Sequence, residues 1–293
     1  MHRKGLPVKS FMAIAAVLWL PGCGMHVYHT STSVHSHNSS LAQSTPTPSA
    51  SSPAKESQSH PTLKNHTASH TPQTSKVSFP PLVATILSGM AGTTHASLWG
   101  PTVLPRGNSA KTSSTFGQFS AQIFACPTAE PVNGPKVGQL NCGTMASFAE
   151  SFGSSVYSNN NAARETLPPP PVSGLSALPQ TTQFLPGHLK AVRWYSGNPA
   201  NSGTTIAIKW QEGDWTVWVY GGTGLWNTAL MVTRELERYR LPAHLGIMIV
   251  DAAPDGQHTS LAWVVGNTVY RAGAMHQSLH AIVVAASMKN FSS

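Results

Sequence analysis

The clearest alternation of apolar and polar positions lies in the last hundred residues. Leu189–Tyr195 (LKAVRWY) is predicted as a strand, and Thr204–Trp210 sets Ile206, Ile208 and Trp210 on one face of another. Gln211-Glu212-Gly213-Asp214 is a turn cluster, and Trp215–Tyr220 (WTVWVY) follows as a second strand, so 204–220 reads as a hairpin. In Trp226–Arg240 the residues Ala229, Val232, Leu236 and Tyr239 recur at helical spacing. Arg238 and Arg240 sit in the last turn of that helix and Pro242 follows it. Gly246–Ala253 reads as a buried strand. Ser260–Val265 and Thr268–Ala272 flank the tight-turn pair Gly266-Asn267, and Leu279–Met288 closes the chain as an apolar helix.

The stretch 81–167 is less periodic. Ser120–Ala125 is a strand candidate, Met145–Phe152 fits a strand or a short helix, and Ala162–Thr166 fits a helical turn. Pro168–Pro171 then interrupts every pattern as a polyproline segment. The region 168–187 is therefore a connector between lobes 81–167 and 188–293, or a long loop within one domain. Hairpins dominate and strands do not alternate regularly with helices. The fold class expected is α+β: a mainly antiparallel sheet with helices packed on one face.

Residues 24–80 have no period at all. They hold 14 Ser, 8 Thr, 6 Pro and 7 His among 57 positions, too little apolar surface to offset chain entropy. This part of the region 23–80 reads as a disordered tether, able to reach ~190 Å if fully extended at about 3.3 Å per residue. Before it, Arg3, Lys4 and Lys9 precede the ten-residue apolar run Phe11 to Leu20. That run is too short for a spanning helix and fits a signal peptide over 1–22. The net charge of +8 is mostly leader and tail, since residues 80–293 carry only +3. No Lys/Arg stripe of the kind nucleic acid requires is present, so no nucleic-acid partner is expected.

The boundary Leu20-Pro21-Gly22-Cys23 resembles the lipobox of bacterial lipoproteins, with Pro21 departing from the usual small or aliphatic residue. The resemblance implies cleavage before Cys23 and lipid on its sulfur and its new amino group. It implies a membrane-anchored chain on the extracytoplasmic face, with a cell-wall or envelope protein as a partner. Cys126 and Cys142 then remain as a pair in an oxidising compartment, where a disulfide is expected. The Trp-rich strand pair and a terminal helix ending Ala285-Ala286-Ser287-Met288 resemble domains of poorly characterised envelope lipoproteins and sporulation-associated proteins of Gram-positive bacteria. No functional residue follows from that resemblance.

Catalytic signatures are missing: there is no HExxH, no GxSxG and no P-loop. Gly221-Gly222-Thr223-Gly224 reads as a chain reversal. Asp251, at the end of an apolar strand, is the best-placed acid, and with His244 or His258 it would form the core of an envelope hydrolase. The tail histidines (His26, His29, His35, His37, His60, His66 and His70) raise metal or solute capture, but they lack regular spacing and carboxylates. No cofactor is expected. Trp215 and Trp218 lie on opposite faces of one strand, so one of them should face outward beside Tyr220 as a ligand-stacking surface. The function expected is a non-catalytic, membrane-anchored module that binds a ligand or partner in the envelope. Cys23→Ala is expected to abolish metabolic palmitate labelling of the chain; a variant labelled as strongly as the parent would remove the lipid anchor.

Overall fold

A computed structural model of the chain describes residues 77–291 apart from 140, 145, 201–202 and 255–256. The leader, Cys23, the tail histidines and the rest of the tether up to residue 76 lie outside the described residues. Helix α1 (Pro81–Met90) comes first, followed by strands β1 (Trp99–Pro101), β2 (Ser109–Thr115), β3 (Gln118–Phe124) and β4 (Phe148–Val156). The short α2 (Asn160–Glu165) precedes β5 (Gln180–Leu185), β6 (Leu189–Ser196), β7 (Thr204–Glu212) and β8 (Trp215–Tyr220). Helix α3 (Leu225–Arg238) leads to β9 (Gly246–Asp251), β10 (His258–Val265) and β11 (Thr268–Met275). Helix α4 (Ser278–Ala286) and β12 (Met288–Asn290) follow.

Ten strands form one mixed sheet in the order β2-β3-β4-β11-β10-β9-β8-β7-β6-β5, and β1 pairs with β12 in a separate ribbon. The fold is mixed α/β with a mostly antiparallel sheet. The exception is β8 beside β9, which are parallel because α3 carries the chain back between them. Strand β4 bonds to β11, with Ser154 opposite Tyr270, so the sheet runs unbroken from 81–167 into 188–293. Within 168–187, residues 180–185 form the edge strand β5 of that sheet.

Helices α1, α3 and α4 share the main core with the sheet, around Trp210, Trp263, Phe119, Phe152 and Met248. The expectation that all helices pack on one face fails for α2. Its Ala163 sits on the opposite face, against Ala262, Val264 and Val269. The physical reason lies in β10 and β11, which are apolar on both faces: Leu261 and Trp263 point to the main core, Ala262 and Val264 away from it.

Two local features break the expected alternation. The pairing of β6 with β7 passes from Trp194↔Ala207 to Tyr195↔Thr205 and skips Ile206. This bulge turns Ile206 toward Ala207 and Trp218 and away from Ile208 and Trp210. At the β8–α3 turn, Gly221 has φ +88° and Gly222 lies against the Ala252 carbonyl; a Cβ at either would overlap Asp251 or Ala252.

Cys126 and Cys142 are disulfide-bonded, with Cα atoms 4.8 Å apart. They form a small cluster with Phe124, Val137 and Phe148. In the chain-entropy picture, a bridge closing a loop this short contributes roughly 3 kcal/mol. The double variant Cys126→Ala/Cys142→Ala is expected to lower unfolding stability by about that amount in guanidinium denaturation; an unchanged midpoint would show that the bridge contributes nothing to stability.

Candidate functional site

The segment 167–179 leaves α2, crosses the sheet on the face away from α3, and enters the edge strand β5. It is held there by one buried side chain, Leu175, which packs with Ala207 and Trp218. Val172 and Leu178 flank that contact. Between this strap and the sheet lies a cleft of about 680 Å³, within the usual range for small-molecule sites. Its floor is built from three strands: Trp194 on β6, Lys209 on β7 and Trp218 on β8. The two indoles stack with centroids 5.6 Å apart and planes inclined by 23°. The Lys209 ammonium sits 5.3 Å from the centre of the Trp218 ring, in cation–π geometry. Pro170 and Leu175 form part of the strap side.

The three aromatic residues expected to form an outward surface separate. Trp215 and Trp218 do occupy opposite faces, as strand geometry requires. Neither faces open solvent. Trp215 is buried in the main core, where its indole N–H donates to the Pro242 carbonyl at 2.9 Å. Trp218 is only 5% exposed because the strap covers it, yet its ring still lines the cleft. Tyr220 packs against the same cluster, but its hydroxyl donates to Asp251 Oδ2 at 3.1 Å. Burial, with the Asp251 charge beside it, pushes the phenol up to about 12.

Asp251 is thereby committed to structure. Its Oδ1 accepts from the Ala253 N–H at 3.1 Å, closing the turn after β9, while Oδ2 accepts from the Tyr220 hydroxyl. His258 is its cross-strand neighbour on β10, and His244 precedes the other end of β9. The carboxylate therefore caps a loop and holds a tyrosine. Among the described residues, no three His, Cys, Asp or Glu side chains gather as a metal site, and no helix is long and apolar enough to cross a membrane.

A second acid–histidine couple joins β4 to α4. Glu150, on β4, is fully buried, and its Oε1 lies 3.1 Å from Nδ1 of His280 in α4. Its other oxygen has no hydrogen-bond partner. Desolvation pushes the carboxyl up to about 8, although the Arg106 charge and its backbone N–H pull the other way. Burial, then the Arg106 charge, pushes the His280 imidazole down. The couple is consequently uncharged at neutral pH. An acid within the otherwise apolar and small-residue stretch Ala146–Phe152 was the available signal.

This couple sets a pH dependence. Between about 6.5 and 8 the folded carboxyl keeps a proton that the unfolded chain, at 4.5, has lost. Stability therefore falls as pH rises through that window, by up to about 1.4 kcal/mol per pH unit. His280 acts in the opposite sense, and only below its ordinary value of 6.5. Glu150→Gln is expected to flatten the melting temperature between pH 6.5 and 8 and to match or exceed the parent at pH 8. Scanning calorimetry checks this, and a variant with the parent's slope would refute it. A comparison of the chain with protein-family models, with curated proteins and with solved structures finds no match in any of the three.

Proposed function

We propose that the protein is a non-catalytic module, anchored by lipid on Cys23 to the extracytoplasmic face of the cell membrane, that binds an envelope ligand in the Trp194–Lys209–Trp218 cleft. The observation that carries this reading is the cleft itself. It combines two indoles stacked on each other, one cation and an apolar strap, a combination suited to a ligand with an apolar face and a negative group. The leader and lipobox support the location, and the long polar tether supports a binding domain held away from the bilayer. Two or three acyl chains would make that anchoring firm. The commitment of Asp251 to Tyr220 and Ala253 favours binding over hydrolysis at that position.

The test is a titration of the mature protein with soluble cell-wall fragments, followed by intrinsic tryptophan fluorescence. Saturable quenching is expected in the parent. Trp218→Ala should weaken it about tenfold, equivalent to ~1.4 kcal/mol. Lys209→Ala, which leaves the core intact, should weaken it in the same direction. Identical curves for the parent and Lys209→Ala would place binding outside the cleft.

A further inference from the structure

The cleft opens onto a broader surface whose composition is one-sided. Strand register sets Thr182 beside Val192, Val192 beside Lys209, and Lys209 beside Trp218, a single row across β5–β8. At a spacing of ~4.8 Å per strand the row spans about 14 Å. One step away on the same face, Phe184 stands beside Lys190. Phe184 is 65% exposed, the second most exposed of the large apolar side chains among the described residues. At the other end Gln180 stands beside Trp194 and lines the cleft.

The charges on these four strands divide by face. Lys190 and Lys209 point to the strap side. Glu212, the only acid in these strands, lies with Trp210 on the helix side. Arg193 also lies there, over Tyr195 and Trp226. The open face of β5–β8 thus offers two cations, no carboxylate of its own strands, and aromatic residues at both ends; at its β8 border the Asp251 carboxylate of β9 is taken up by Tyr220 and Ala253. Between the two ends stand hydroxyl and amide groups, among them Gln211 and Thr216, which hydrogen-bond to each other.

We infer that this face is a binding site for an acidic polysaccharide, which enters at the cleft and runs out over β6 and β5 past Phe184. The inference rests on the cleft reading above and names its ligand class. Sugar rings present flat C–H faces that stack on Trp194 and Phe184, hydroxyls that pair with Gln180 and Thr182, and carboxylates that pair with the two lysines. Lys190 and Lys209 are diagonal neighbours on β6 and β7, a pair of cations that suits a polymer with few charges along its length. A nucleic acid, with a phosphate on every unit, calls for a denser basic array.

The experiment measures binding of the mature protein to immobilised hyaluronan, which carries one carboxylate per disaccharide, and to neutral dextran and oligo-dT as comparison surfaces. Hyaluronan is expected to bind, to bind better than both comparisons, and to weaken with added salt. Lys190→Ala/Lys209→Ala should lower its affinity about tenfold, and Phe184→Ala about threefold. Phe184 and Lys190 are exposed, so their loss leaves the core in place. Equal binding of dextran, tighter binding of oligo-dT, or an unchanged double variant would each overturn the proposal. Absence of hyaluronan binding, with cell-wall fragments still quenching through Trp218, would overturn it and leave the cleft reading standing. Loss of both responses would remove the two together.

Discussion

A sheet that is apolar on both faces has to be covered twice, and that requirement organises this molecule. Strands β8–β11 place Trp215, Met248, Leu261 and Tyr270 on one side and Trp218, Ile249, Ala262 and Val269 on the other. The first side is closed by α1, α3 and α4, whose aliphatic residues merge with it into one core. The second side has only a six-residue helix and an irregular strap. Coverage there is incomplete, and an incompletely covered aromatic surface next to a cation is what makes a cleft. The cleft is a by-product of how thinly the second face is shielded.

The strap can do this because of its composition. Prolines at 168–171 restrict the backbone without demanding ladder partners, so the segment lies over the sheet and adds no strand to it. Leu175 anchors it at one point on the sheet, between Ala207 and Trp218. The bulge at Ile206 thickens the apolar patch beneath that anchor by turning one more aliphatic side chain toward it. The bulge, the anchor and the stacked indoles are therefore parts of one local arrangement. On the opposite face, Trp215 fills the space beside Gly246, where a Cβ would overlap its ring.

What the sequence made legible follows from how strongly each element is constrained by burial. The hairpin β7–β8, helix α3, the hairpin β10–β11 and helix α4 each carry a period because one face must be apolar, and each forms close to where the period places it. Edge strands β2 (SAKTSST) and β5 (QTTQFL) carry almost none, since few of their residues are buried, and pattern reading passes over them. The parallel pairing of β8 with β9 is invisible locally: it depends on where α3 returns the chain, not on the residues of either strand. Strand parity separates Trp215 from Trp218 but does not say which of the two lines the cleft. Lys209 and the strap were not legible, because they meet Trp218 only through cross-strand register and a contact forty residues away in sequence. Glu150 was hidden for a related reason, its histidine partner being 130 residues distant.

The bond between β4 and β11 has a further consequence for how the chain is made. It joins segments about 116 residues apart, so β2–β4 are synthesised long before the strand that completes them. Until β11 arrives, β4 presents a free row of amides and carbonyls, and contacts of such long range slow folding. The last-made strand of the ten-stranded sheet thus inserts into its middle, and β12, made after it, pairs back with β1. Completion of the sheet waits on β11: a chain cut short before residue 268 would keep every residue of the cleft and still lack the strand that joins the two parts of its sheet.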